Sequence, residues 1–122
     1  MQTLLVVEDE WAIADWLEVL LSEHAYHVLV ASDGRQALDI LHREKPDLVL
    51  TDFMMPVVDG AGLISAMADN PRTCAIPVVV MTSLAENAVQ QRVRSYHGFL
   101  RKPFHESELL QILKDVLPPA AH

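Results

Sequence analysis

A doubly wound α/β fold, with one parallel sheet of five strands and helices on both faces, is what this sequence predicts. Two patterns predict it. Short unbroken runs of bulky apolar residues, Leu4-Leu5-Val6-Val7, Leu48-Val49-Leu50 and Val78-Val79-Val80, read as strands buried on both sides. The segments between them carry apolar residues at i, i+3, i+4 spacing, the mark of amphipathic helices. Strands alternating with helices imply right-handed crossovers and a parallel sheet, for which the order 2-1-3-4-5 is a common solution.

The elements follow in order. The first strand spans about residues 3–7. The first helix spans about residues 10–24, with Ile13, Trp16, Leu17, Leu20, Leu21 and His24 on one face. A shorter, less apolar strand covers residues 28–31. Asp33 can cap the second helix, with Gln36 in capping-box position. Ala37, Leu38 and Leu41 line its inner face, and Lys45-Pro46 stops it. The third strand is residues 47–51. Asp59-Gly60 marks a turn into a short helix built on Leu63, Ile64 and Met67, which ends before Asn70-Pro71. The fourth strand is residues 77–81, and a weaker helical stretch follows at about residues 85–93. Residues 99–101 form the fifth strand. The last helix is residues 106–116, with Leu109, Ile112, Leu113 and Val116 on one face, early acids and a late Lys114, as the helix dipole favours. Pro118-Pro119 ends it. One domain over residues 1–118 with a short tail, residues 119–122, is the expected organisation.

Composition narrows the function. A chain of 122 residues with 51% hydrophobic residues can bury a real core. A net charge of −8 argues against a direct nucleic-acid partner for this segment. No apolar run approaches a membrane span, and the start of the chain lacks a signal peptide's basic region. The single cysteine, Cys74, excludes an internal disulfide, reads as an inert small residue and points to a reducing, cytoplasmic setting.

The strand ends carry the chemistry. The first strand delivers Glu8 and Asp9, and the third delivers Asp52. The fourth delivers Thr82 and Ser83, and the fifth delivers Lys102. In open α/β sheets ligands collect at these carboxyl ends. Three carboxylates crowded there repel one another unless a hard cation sits among them, so the pattern points to an oxygen-ligand Mg²⁺ site with one carboxylate free to react. A carboxylate can attack phosphorus. A hydroxyl and an ammonium can hold phosphoryl oxygens.

Taken together, Val7-Glu8-Asp9, Asp52-Phe53-Met54-Met55-Pro56 with Asp59-Gly60, Val80-Met81-Thr82-Ser83 and Lys102-Pro103-Phe104 resemble the receiver domain of bacterial two-component response regulators, chemotaxis regulators among them. The resemblance covers essentially the whole chain and implies the flavodoxin-like version of the fold. It implies that Asp52 is the phosphoacceptor. Glu8, Asp9 and Asp52 would surround Mg²⁺ with the Met54 backbone carbonyl, Glu8 acting directly or through a water. Thr82 would be the switch hydroxyl and Lys102 the lysine that pairs with phosphate, aimed by a cis bond before Pro103. Phe99 would be the switching aromatic. Ser83, Leu84 and Pro103 would line the pocket, and the apolar Met54 and Leu84 would shield the acyl phosphate from water. The implied partners are a histidine kinase or histidine phosphotransfer protein as donor and an output domain or protein target. A phosphorylation-linked dimer is compatible with the same surface. The chain would catalyse only its own phosphorylation and dephosphorylation. The changed surface would be the fourth helix, fifth strand and fifth helix.

Departures and other residues set limits. Phe99 stands where many members have Tyr. The stretch between Thr82 and Lys102 is short for the family, with Arg94-Ser95-Tyr96-His97-Gly98 in place of the usual Gly-Ala, so the fourth helix is expected to be short, shifted or loose. Trp11 reads as a docking contact or an ordinary half-buried aromatic. The histidines at 24, 27, 42, 97, 105 and 122 show no metal-ligand spacing. A degenerate receiver that binds partners without phosphorylation is the main alternative, yet such members lose the acceptor, an acid or the lysine, and this chain has all of them. A phosphatase of the haloacid dehalogenase type needs a second acid two places after its nucleophile, where Met54 stands, and a cap for which this chain has no room.

Overall fold

Strands and helices alternate along the whole described chain. A computed structural model describes residues 1–93 and 95–117. It runs β1 (Thr3–Val7), α1 (Trp11–Glu23), β2 (His27–Ala31), α2 (Gly34–Arg43), β3 (Leu48–Asp52), α3 (Gly60–Ala68), β4 (Val78–Thr82), α4 (Glu86–Gln90), β5 (Gly98–Arg101) and α5 (Glu106–Val116). Arg94, the Pro118-Pro119 stop and the tail at residues 119–122 lie outside the described residues. The sheet is parallel throughout, in the order β2-β1-β3-β4-β5. The expected fold class and strand order are those observed. Strand boundaries sit within a residue or so of the pattern.

One sheet builds two cores because successive strand residues point to opposite faces. Leu5, Val7, Val49 and Val80 pack with Leu41, Leu63, Met67 and Val89, under α2, α3 and α4. Leu4, Val6, Leu48, Leu50, Val79 and Met81 pack with Leu17, Leu21, Leu109 and Leu113, under α1 and α5. Every residue of β3 and β4 is buried, and their polar residues, Thr51, Asp52 and Thr82, fall at the carboxyl ends. Each fully buried Leu or Val there contributes roughly 1.5–3 kcal/mol.

Local chemistry starts the helices. Asp33 Oδ1 accepts from the Gln36 N–H at 2.8 Å, while Gln36 Oε1 reaches back to the Ser32 N–H at 3.0 Å. The expected capping box is therefore displaced by one residue on its return arm. Asp59 Oδ1 accepts from the Gly62 N–H at 2.9 Å and starts α3. Glu108 accepts from the His105 N–H at 2.9 Å at the head of α5. α4 has no side-chain cap and buries only Val89 within its 5 residues. Helices this short borrow their stability from tertiary contacts.

Three positions of the expected first helix differ from the periodic reading. Trp16 is 42% exposed rather than part of the core face, because its ring tilts against Phe104 of the β5–α5 connection at 6.1 Å instead of meeting the sheet. Ala14 is buried among the residues of that helix. His24 is exposed and holds the helix end through a bond between Nδ1 and the Leu20 carbonyl at 2.9 Å.

Two glycines permit close approach to the loop after β3. A Cβ on Gly60 would lie 2.7 Å from Phe53 Cα and 2.8 Å from the Asp52 carbonyl oxygen, and one on Gly34 would lie 2.3 Å from the Val58 carbonyl oxygen. On Gly62 the nearest atom is a flexible Val58 methyl at 3.2 Å. Gly34→Ala and Gly60→Ala are each expected to destabilise the fold by about 1–3 kcal/mol through overpacking. Gly62→Ala should cost far less. Urea-denaturation midpoints of the three variants check this ordering.

Candidate functional site

The registers of β1, β3, β4 and β5 bring their carboxyl ends to one edge. Glu8 and Asp9 leave β1, Asp52 closes β3, Thr82 closes β4, and Lys102 follows β5. Side-chain oxygens of Glu8, Asp9 and Asp52 all lie within 4.8 Å of one another, the one such group of potential metal ligands among the described residues. Lys102 joins them from the far side of the edge. Its Nζ donates to Glu8 Oε1 at 2.6 Å and lies 3.3 Å from Asp52 Oδ2. The peptide bond between Lys102 and Pro103 is cis, as expected.

Burial sets the electrostatics. Glu8 is 1% exposed and Asp52 7%, whereas Asp9 is exposed. Burial pushes the Asp52 carboxyl up from 3.8 to about 7, the charge of Glu8 adds to the rise, and Lys102 pulls against it. Burial lowers the Lys102 ammonium. Its hydrogen bond to Glu8 and the charges of Asp52 and Glu8 outweigh that and hold it above its ordinary value. The edge thus holds more negative charge than one ammonium can satisfy. The donor set fits a hard divalent cation, since all three ligand groups offer carboxylate oxygen. Both Glu8 oxygens are already engaged, Oε1 by Lys102 and Oε2 by the Glu10 N–H at 3.2 Å.

Of the remaining expected residues, Thr82 closes β4 with Ser83 and Leu84 after it, Pro103 follows Lys102, and Phe99 lies in β5 two positions before its end. Thr82 is buried, and its Oγ1 accepts from the Leu84 N–H at 3.2 Å. Its carbonyl accepts from the Lys102 N–H at 2.8 Å, which fixes Lys102 to the end of β4. Ser83 is exposed, and its carbonyl accepts from Arg101 Nε at 3.4 Å. Leu84 is half-buried against the α2–α4 core, Pro103 is exposed, and Met54 is 53% exposed. Phe99 is half-buried, with the Tyr96 ring tilted against it at 6.4 Å. The Tyr96 hydroxyl donates to Glu86 at the first residue of α4, at 2.6 Å. Trp11 is 81% exposed at the rim of a cavity of about 270 Å³ beside Glu8 and Asp9.

Periodicity and motif gave no sign of Arg92. It follows α4 and reaches across to the loop after Asp52, where it pairs with Asp59 at 2.9 Å. An isolated arginine in a weak helical pattern carries no such signal; only the fold brings the two segments together.

The sequence model of the response regulator receiver domain matches residues 4–114. The phosphate regulon transcriptional regulatory protein PhoB of Pseudomonas aeruginosa is 33% identical over 118 residues, which are 95% of this chain and 52% of that protein. The chain spans about half the length of the transcriptional regulators it matches. The chemotaxis response regulator CheY4 of Vibrio cholerae superposes with a TM-score of 0.90 at 28% identity, over 96% of this chain and 99% of that one. The receiver domain of a Pseudomonas aeruginosa sensor histidine kinase, crystallised with magnesium in its active-site cleft, gives 0.87 at 27% identity, over 94% and 96%. No helix among the described residues is long and apolar enough to cross a membrane. By sequence match, strand order and the acidic edge alike, the chain belongs to the response regulator receiver domain family of two-component signalling.

Proposed function

We propose that this chain is a phosphorylation-dependent switch with Asp52 as its phosphoacceptor. The observation that carries the reading is the convergence of Glu8, Asp9 and Asp52 within 4.8 Å, with the Lys102 ammonium against two of them. A histidine kinase or histidine phosphotransfer protein presents a phosphohistidine. An Asp52 carboxylate oxygen attacks phosphorus, the phosphorus–nitrogen bond breaks, and the electron pair leaves with the imidazole. Glu8, Asp9, Asp52 and the Met54 carbonyl would hold Mg²⁺, which would supply positive charge against the phosphoryl oxygens. Lys102 leaves its bond to Glu8 and pairs with one phosphoryl oxygen. The Thr82 hydroxyl gives up the Leu84 N–H and donates to another. Phe99 then repacks, and the surface of α4, β5 and α5 changes toward an output domain or protein target. Water then attacks phosphorus, the bond to the Asp52 oxygen breaks, and inorganic phosphate leaves with the carboxylate restored; the chain's catalysis is confined to its own Asp52.

Incubation with Mg²⁺ and a small acyl-phosphate donor should add one phosphoryl mass to the wild type. No addition is expected for Asp52→Ala or without Mg²⁺. Intact-mass spectrometry reads it, and a folded, Mg²⁺-binding wild type that stays unmodified would point instead to a constitutive interaction module. Met54→Asn should lose phosphate faster than wild type in the same assay, because an apolar side chain at the mouth of the site gives way to a polar one.

The raised Asp52 carboxyl has a pH signature. Its folded-state value of about 7 lies above the ordinary 3.8, so its contribution to stability is complete below the ordinary value and is lost as pH rises through about 7. Without metal, the protein should lose stability between pH 4 and 8, and Asp52→Asn should lose less. Mg²⁺ competes with the proton, so its affinity should climb up to about tenfold per pH unit below pH 7 and level off above. Urea midpoints and calorimetric titrations across pH check both.

A further inference from the structure

We propose that Arg92 is a positioning residue that clamps the loop between Asp52 and α3 and thereby ties α4 to the metal pocket; the link to metal rests on the pocket reading above. Three contacts place its guanidinium. It pairs with Asp59 Oδ2 at 2.9 Å, lies 5.1 Å from the centroid of the Phe53 ring, and donates toward the Met54 sulfur at 3.7 Å. Phe53 and Asp59 are the two ends of the loop, and a bond from the Gly60 N–H to the Phe53 carbonyl at 2.8 Å closes it. One planar cation therefore grips both ends, as a guanidinium can and an ammonium cannot.

The loop has reason to be gripped. Val57, 78% exposed at its tip, has φ of 69°, a left-handed conformation that β-branched residues adopt only under constraint. Met54, whose carbonyl the pocket reading assigns to the metal, lies between the strained residue and the held end. The other end of the clamp is α4 itself: the Arg92 N–H donates to the Val89 carbonyl at 2.9 Å, and Val89 is the buried anchor of that helix. Asp59 serves both partners at once, with Oδ1 capping α3 and Oδ2 on Arg92. Order at the pocket and order in α4 are thus coupled through one side chain, and coupling of this kind is reciprocal.

Amide hydrogen exchange and Mg²⁺ calorimetry on wild type, Arg92→Ala, Arg92→Lys and Asp59→Asn test this. Asp59→Asn keeps an oxygen for the Gly62 N–H and removes the charge. Without metal, exchange at residues 54–58 should speed up about three- to tenfold in Arg92→Ala, less in Arg92→Lys, with Asp59→Asn close to Arg92→Ala. Mg²⁺ should bind Arg92→Ala more weakly by a similar factor. It should slow exchange in residues 86–92 of the wild type but not of Arg92→Ala. Unchanged loop exchange in a folded Arg92→Ala overturns the clamp. Equal Mg²⁺ affinity in wild type and Arg92→Ala overturns the tie to the pocket. A wild type that binds no Mg²⁺ sinks the pocket reading and the tie with it, while the loop-exchange comparison still decides the clamp.

Discussion

A buried carboxylate governs the functional edge of this molecule. Glu8 is almost wholly removed from water and cannot be left without a cationic partner. Lys102 meets that need, and in doing so it is drawn across the end of the sheet to within reach of Asp52. The pocket is thus held by a salt bridge between two groups to which the proposed reaction gives other tasks. Under that proposal the bond keeps Lys102 in position until a phosphoryl group competes for its charge. The bond from the Lys102 N–H to the Thr82 carbonyl ties the base of that side chain to the end of β4.

The sheet makes that edge dependable. Because β3 and β4 are buried on both faces, their register cannot slip without putting polar groups into a core. Asp52 and Thr82 are therefore delivered at fixed heights by the packing of residues that never touch the site. The helices differ in this respect. Those flanking the first three strands have caps or long apolar faces, whereas α4 has neither and hangs on Val89, Tyr96 and Arg92. Stability is distributed unevenly, and the low end lies at α4, part of the surface that the proposed switch would change.

Much of this was legible in the sequence, for identifiable reasons. Unbroken apolar runs fix buried strands, and the residues that follow them are committed by chain connectivity to the carboxyl edge. Glu8, Asp9, Asp52, Thr82 and Lys102 could be placed together on that basis alone. Side-chain choices were less accessible. Helical periodicity put Trp16 in the core, yet the aromatic partner it found, Phe104, is contributed by a distant loop. The same holds for the resting bond between Glu8 and Lys102, which are 94 positions apart. Arg92 was invisible because its partners, Phe53, Met54 and Asp59, become neighbours only after α4 has docked. Sequence patterns report what each element does with the solvent. They say little about which long polar side chain reaches which.

The crowding of glycines onto the segment after β3 carries a lesson for protein engineering. Gly34 presses on Val58 from one helix and Gly60 presses on Phe53 and Asp52 from the next, so that loop has no slack to absorb extra residues. The α2–β3 connection is different. Glu44 and Lys45 are exposed there, at the opposite end of the sheet from the carboxylates. A fluorescent reporter or affinity peptide grafted at that connection would be carried outside the packed layers. The same graft one strand further along the chain, between Asp52 and α3, would have to displace the backbone that packs against Gly34 and Gly60.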